Sequence, residues 1–170
     1  MNIERATLSD TRAIAEIHVE AWRSAYGRIL PADYLSALSI EQREAIWRKA
    51  VESGQPELLV AKDGSDVLGW VAFGNCRDQS AQTCQAEIWA IYVAPISWSR
   101  GVGRQLWQRV RGILSERGYN TCSLWVLTEN KRAIRFYRSI GFVADNLPPQ
   151  QFELGGRLLE EVRYVCRMVD

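Results

Sequence analysis

The sequence predicts an α/β fold, and three observations carry that prediction. From Glu87 to Gly141 the chain reads strand, glycine turn, helix, strand, helix, and strands flanking a crossover helix run parallel. Before that block the hydrophobic period is helical after one short strand; after it the chain closes with a strand, a loop and a hairpin. At 170 residues, 47% apolar and with seven Trp, the chain has the size and apolar content of one domain, taken as residues 1–170.

Ile3 to Ala6 is the first strand, and Thr7-Leu8-Ser9-Asp10 ends it with side-chain oxygens that accept the free N–H groups of a helix start. Ala13, Ile14, Ile17, Ala21 and Trp22 then fall at helical spacing. His18 lies beside this stripe with no evident partner and reads as structural or solvent-facing. Gly27 breaks the helix. Pro31, at a first helical position, opens a second helix carrying Tyr34, Leu35 and Leu38, and Ile40 to Val51 forms a third amphipathic piece. From Glu57 the period is that of strands: Leu58 to Ala61, a turn over Lys62-Asp63-Gly64-Ser65, and Val67 to Phe73 make a hairpin. Arg77 to Thr83 is a polar loop. A strand restarts at Gln85, and its apolar run from Ile88 to Val93 predicts burial on both faces. Gly101 to Ser115 is a helix with Val102, Leu106, Trp107, Val110, Ile113 and Leu114 on one face, stopped by Gly118. Cys122 to Leu127 is a strand. Thr128-Glu129-Asn130 starts a helix that holds Ala133, Ile134, Phe136, Tyr137 and Ile140 and closes at Gly141. Phe142-Val143, Phe152 to Leu154 and Leu158 to Val169, with Gly155-Gly156 between the last two, supply the final strand and hairpin.

Composition narrows the function classes. A net charge of +1 with 24% charged residues argues against a nucleic-acid partner held by bulk charge, although Arg100, Arg104, Arg109 and Arg111 gather near the glycine loop. That local charge suits a small anionic ligand. The four cysteines, Cys76, Cys84, Cys122 and Cys166, have no C-x-x-C spacing, and His18 is the single histidine, so neither a metal site nor a disulfide framework is expected. Each cysteine reads as a small buried hydrophobe, with Cys76 and Cys84 placed to face each other across a hairpin. No apolar run has the length of a membrane span and the first residues lack a signal-peptide core; a cytoplasmic protein with no membrane partner is expected.

The strand entering Gly101-Val102-Gly103 and the helix leaving it form an anion site, because first-turn N–H groups have no intrahelical partner and the helix dipole is positive there. A dinucleotide fingerprint needs a third glycine where Leu106 stands, and a P-loop needs Gly-Lys-Ser/Thr, which is absent. Glycines serving only a tight turn remain a third reading, one that leaves the arginines unexplained.

Val93-x-Pro95, then Arg100-Gly101-Val102-Gly103, then Asn130-x-x-Ala133-x-x-Phe136-Tyr137-x-x-x-Gly141-Phe142 form a two-part pattern from Glu87 to Phe142. It resembles the GNAT superfamily of acetyl-CoA-dependent N-acetyltransferases, in their bacterial small-acceptor type, and Trp22-x-x-x-Tyr26-x-x-x-Leu30-Pro31 is similar to the start of many bacterial members. The resemblance implies a mixed, mostly antiparallel sheet of about six or seven strands flanked by about four helices, splayed at the fourth and fifth strands. One position departs: Trp98 stands where the family usually carries Arg or Gln.

What the resemblance implies for the chemistry is direct attack of an amine on the thioester of acetyl-CoA, with CoA as product and no covalent enzyme intermediate. Tyr137 is then the acid; packing beside Phe136 is the alternative role. Glu87 is the expected base, in an apolar strand that would favour its protonated form, with ordered water carrying the proton to bulk as the alternative. The pyrophosphate falls to the main chain of Ser99, Arg100, Gly101, Val102, Gly103 and Arg104, in the loop that Trp98 opens, with side-chain charge from Arg100 or Arg104. Ile91, Tyr92 and Val93 offer a backbone edge to the pantetheine arm, their side chains being interchangeable. Asn130, Ala133, Phe136 and Tyr137 complete the cofactor site, Asn130 either touching the arm or capping its helix. Trp22, Tyr26, Trp70, Trp89 and Tyr92 form an aromatic acceptor pocket for a small-molecule amine, or else core. A protein or peptide amine acceptor and a non-catalytic acyl-CoA sensor are the alternatives, and a monomer or homodimer is expected.

Overall fold

The computed structural model describes residues 1–78 and 85–168. The expected facing of Cys76 and Cys84 and most of the Arg77 to Thr83 loop lie outside the described residues. Eight strands, β1 (Asn2–Arg5), β2 (Glu57–Asp63), β3 (Asp66–Asn75), β4 (Gln85–Val93), β5 (Thr121–Leu127), β6 (Val143–Ala144), β7 (Gln150–Leu154) and β8 (Arg157–Arg167), form one sheet. The order is β1-β2-β3-β4-β5-β8-β6, with β7 also on β8. Among the described residues five α-helices accompany it: α1 (Thr11–Tyr26), α2 (Ala32–Ser36), α3 (Ile40–Ser53), α4 (Val102–Glu116) and α5 (Lys131–Ser139). The resemblance implies about one strand and one helix fewer; the short β6 and α2, both read from the sequence, account for the difference.

Local chemistry sets the boundaries. Asp10 accepts from both the Thr7 N–H and the Thr7 hydroxyl, each at 2.8 Å, ahead of α1, and Ser39 accepts from the Gln42 N–H at 3.1 Å to start α3. Pro31 proves to be the cap before α2 rather than its first residue, and α2 ends at Ser36, short of Leu38. The hairpin is tighter than predicted, because Lys62 and Asp63 continue β2 and only Gly64-Ser65 turn.

One face of the sheet packs Leu59, Val71, Phe73, Ile88 and Leu124 against Leu106, Val110 and Leu114 of α4. The other packs Val60, Trp70 and Ala72 against Ile14, Ile17 and Trp47 of α1 and α3. A third group, Ile29, Leu30, Leu35 and Leu159, seats the α1–α2 region on β8. Because β2 and β3 are covered on both sides, their apolar runs show no alternation.

Every pairing is antiparallel except β4 with β5, which run parallel as predicted, and only over Gln85↔Thr121, Ala86↔Cys122 and Glu87↔Ser123. Beyond that point β5 is paired with β8 alone, and β4 with β3 alone. In β4 the register slips between Ala72↔Ala90 and Phe73↔Ile88, so Trp89 is an extra residue, a bulge. The expected two-sided burial of Ile88 to Val93 therefore fails after Ile88: Trp89 to Val93 are half-exposed, because one edge of β4 faces a gap instead of a strand.

Candidate active site

The gap between β4 and β5 is a cleft of about 1140 Å³. On one side it is lined by the start of α4 and by α5; on the other by α1, β7 and β8. Trp22, Tyr26, Glu87, Trp89, Ile91, Tyr92, Val93, Trp98, Ser99, Gly101, Val102, Gly103, Arg104, Asn130, Ala133, Phe136 and Tyr137 all line it. Residues chosen from distant parts of the sequence thus meet in one place.

At the α4 end, Gly101 has φ +82° and Ser99 φ +62°, left-handed conformations that turn the strand into the helix. Gln105 is the first residue whose N–H closes the helix, on the Gly101 carbonyl at 3.0 Å, so the N–H groups of Val102, Gly103 and Arg104 have no intrahelical partner. A Cβ on Gly103 would stand 2.9 Å from Phe136 Cζ, which holds α4 and α5 at close approach. Trp98 is tied into this loop: its Nε1–H donates to the Val93 carbonyl at 2.8 Å, and the Arg132 guanidinium lies 3.3 Å from its ring centroid. Arg132 and Arg135 also line the cleft, whereas Arg100 is exposed and does not. Of the two arginines expected to supply side-chain charge, Arg104 lines the cleft and Arg100 does not, and α5 adds Arg132 and Arg135.

Asn130 caps α5, accepting from the Ala133 N–H at 3.1 Å, and its side chain also interacts with the Tyr26 hydroxyl. Tyr26 in turn interacts with Tyr92, whose hydroxyl accepts from Trp22 Nε1–H at 2.8 Å. Tyr137 faces the same group, and its hydroxyl has no hydrogen bond among the described residues. Burial, then the neighbouring Tyr26, raises its pKa, so Tyr137 keeps its proton at neutral pH.

Three expectations are corrected here. Trp70 is 0% exposed, packed on Trp47 and beneath Tyr92, its cross-strand partner, so it is core and does not reach the cleft. The Tyr92 side chain is not interchangeable, since its ring stacks on His18 at 4.9 Å while its hydroxyl serves Trp22. His18 has a partner that the sequence did not show, and of its two readings the structural one holds: it is 6% exposed and its Nδ1 accepts from Trp47 Nε1–H at 3.0 Å. Burial first, and then Arg43, lower its pKa to about 3, so it is neutral.

Glu87 is 1% exposed, but its setting is not apolar. Its carboxylate accepts from the Arg77 backbone N–H at 2.9 Å, from Arg77 Nε at 3.1 Å and from Arg77 Nη2 at 2.5 Å. The Arg77 guanidinium also covers the Trp89 ring at 4.3 Å. Sequence reading missed Arg77, Trp125, Arg132, Arg135 and Glu161 as lining residues. Helical spacing placed Arg132 on the face of Phe136 and Arg135 one turn from Arg132, a signal available but unused; for Glu161 and Arg77 the sheet register had to be known.

A mixed sheet split at the parallel β4–β5 pair, with a glycine-opened helix on one side of the split, is a fold shared with solved N-acetyltransferases. The chain belongs to the acetyltransferase (GNAT) family, whose model matches residues 12–142. It is 30% identical over 163 residues to an uncharacterized N-acetyltransferase, YuaI, of Bacillus subtilis, covering 95% of this chain and 90% of that one. It is 27% identical over 160 residues to the L-amino acid N-acyltransferase MnaT of Escherichia coli, covering 94% and 90%. Among solved structures, the PaiA N-acetyltransferase of Thermoplasma acidophilum, in complex with coenzyme A, superposes with a TM-score of 0.78 at 19% identity, covering 98% of this chain and 99% of that one, a likeness of fold. Among the described residues there is no group that could hold a metal ion, and no helix long and apolar enough to cross a membrane.

Proposed function

We propose that residues 1–170 act as one N-acetyltransferase domain that moves the acetyl group of acetyl-CoA to a small-molecule amine by direct attack, as a cytoplasmic monomer or homodimer. One observation carries the reading: the free N–H groups of α4, the unpaired edge of β4 and the protonated Tyr137 hydroxyl line the same cleft as an aromatic wall. The small-molecule acceptor draws support from MnaT, whose name describes an enzyme acting on L-amino acids.

The residues present fit the cofactor. Val102, Gly103 and Arg104 offer N–H groups to a pyrophosphate at the positive end of a 15-residue helix, with Arg104 and Arg132 adding charge. Nothing larger than glycine fits at 103 without moving Phe136. The free edge of Ile91 to Val93 can pair with the pantetheine amides as a strand would, and one N–H there polarises the thioester carbonyl as its oxygen gains charge. When bound, acetyl-CoA supplies the carbonyl that the amine attacks. Tyr137 donates its proton to the departing sulfur. Glu87 takes the proton of the amine, directly or through water, while Arg77 holds the carboxylate in place. Trp22, Tyr26 and Trp89 form the wall against which the acceptor packs.

Thermal unfolding under acetyl-CoA titration, followed by thiol release over a panel of amines, tests this reading. A melting temperature that rises with cofactor and thiol release that depends on an amine are expected. Cofactor binding with no thiol released by any acceptor would make the protein a sensor.

A further inference from the structure

The acceptor side of the cleft carries a charge that the proposed transfer does not use. Glu161 sits on β8 opposite Leu127 of β5 and Gln150 of β7, on the sheet face of Trp125, and lines the cleft. It is half-buried, and among the described residues it makes no hydrogen bond or salt bridge of its own. The nearby cations are already committed. Arg77 is gripped by both oxygens of Glu87, and Arg163 lies between Asp78 and Asp145 at 3.2 Å from each. Arg77, although bound to Glu87, also lends opposite charge to Glu161, while Glu87 and Asp78 add like charge. The acceptor side is therefore net negative, while the cofactor side is positive through Arg104, Arg132 and Arg135.

A carboxylate with no ion pair of its own, beside Tyr26 in a cleft that Trp22, Trp89 and Trp125 also line, is a site for a cation, held by charge and by the faces of the rings. The attacking nitrogen has to be neutral, so a positive group retained by Glu161 is a second one. We infer that Glu161 binds a cationic group of the acceptor remote from the reacting amine, and that the acceptor class is a di- or polyamine. This rests on the transferase reading above. It runs against a free amino acid, whose carboxylate would meet Glu161, Glu87 and Asp78 with no uncommitted guanidinium on that side among the described residues.

A matched pair of acceptors isolates the second charge: 1,5-diaminopentane and 1-aminopentane, with spermidine and L-methionine sulfone beside them. The wild-type protein should use the diamine with a kcat/KM about tenfold or more above the monoamine, one charge pair in a partly buried site. Glu161→Gln, which keeps shape and removes charge, should raise KM for the diamine and spermidine by about the same factor, with kcat and the KM for acetyl-CoA retained, erasing the preference. Titration of the wild-type and Glu161→Gln proteins with diamine, followed by tryptophan fluorescence, gives the same comparison without turnover. A preference for L-methionine sulfone, a diamine preference that survives Glu161→Gln, or a fall in kcat at unchanged KM would overturn the inference while leaving the transferase intact. Thiol release by none of the amines, with acetyl-CoA bound, would instead remove the transferase reading and this inference with it.

Discussion

Phe136 occupies the space that a side chain at Gly103 would need: a Cβ there would lie 2.9 Å from Phe136 Cζ and 3.2 Å from Cε2. The contact locks the two halves of the cofactor site, one from the glycine loop and one from α5. Gly103→Ala gains about 1 kcal/mol of helix propensity and costs about 1–3 kcal/mol of overpacking, so stability should fall by about 0–2 kcal/mol. Acetyl-CoA affinity should fall by about tenfold as Phe136 is pushed into the cleft, and Phe136→Leu in the same chain should restore part of it. Calorimetric titration beside denaturant unfolding checks the split; equal affinity in Gly103→Ala would detach this contact from cofactor binding.

Removing the Tyr137 hydroxyl should separate chemistry from binding. Tyr137→Phe is expected to lower kcat by about 100-fold, a typical general-acid contribution, and to leave cofactor affinity unchanged. Turnover as fast as wild type would return Tyr137 to a packing role.

Trp98 holds the loop through one hydrogen bond and one stacked guanidinium. Trp98→Ala loses both, worth about 1–2 kcal/mol together, and should weaken acetyl-CoA binding by up to about tenfold; Arg132→Ala should cost less, because it leaves the bond to the Val93 carbonyl. Equilibrium dissociation constants for the two variants check the order.

His18 makes stability sensitive to acid. Its pKa is about 3 in the folded chain against the ordinary 6.5, so the unfolded state binds the proton first. The stability it supports is complete above pH 6.5 and drains away as pH falls towards 3. Between pH 6.5 and 5 this amounts to about 2 kcal/mol from His18 alone. Urea unfolding across that range should show the slope, and His18→Gln, which can still accept from Trp47, should flatten it. An identical slope in both would place the acid sensitivity elsewhere.

The α4 loop and the α5 pattern were readable in the sequence because they are local: helical period, capping residues and glycines lie within a few residues of one another. Asn130 as a cap and Gly101 at a left-handed turn follow from the same short-range chemistry. Glu161 and Arg77 were not readable, since their place in the cleft depends on the β5–β8 register and on where β4 parts from β5. Trp70 and Trp22 look alike in sequence, and only the two-sided packing of β3 sends one into the core while α1 turns the other to the cleft. The Trp89 bulge left no periodic mark at all, yet it falls at the point where β4 becomes half-exposed.

The central claim is that this cleft transfers acetyl to an amine, and stoichiometric product analysis tests it most directly. Purified protein, acetyl-CoA and a diamine acceptor should yield free CoA and acetylated amine in equal amounts, at a rate that depends on both substrates and drops in Tyr137→Phe. Acetyl-CoA that binds and stays intact with every amine, or acetyl that accumulates on the protein, would contradict it.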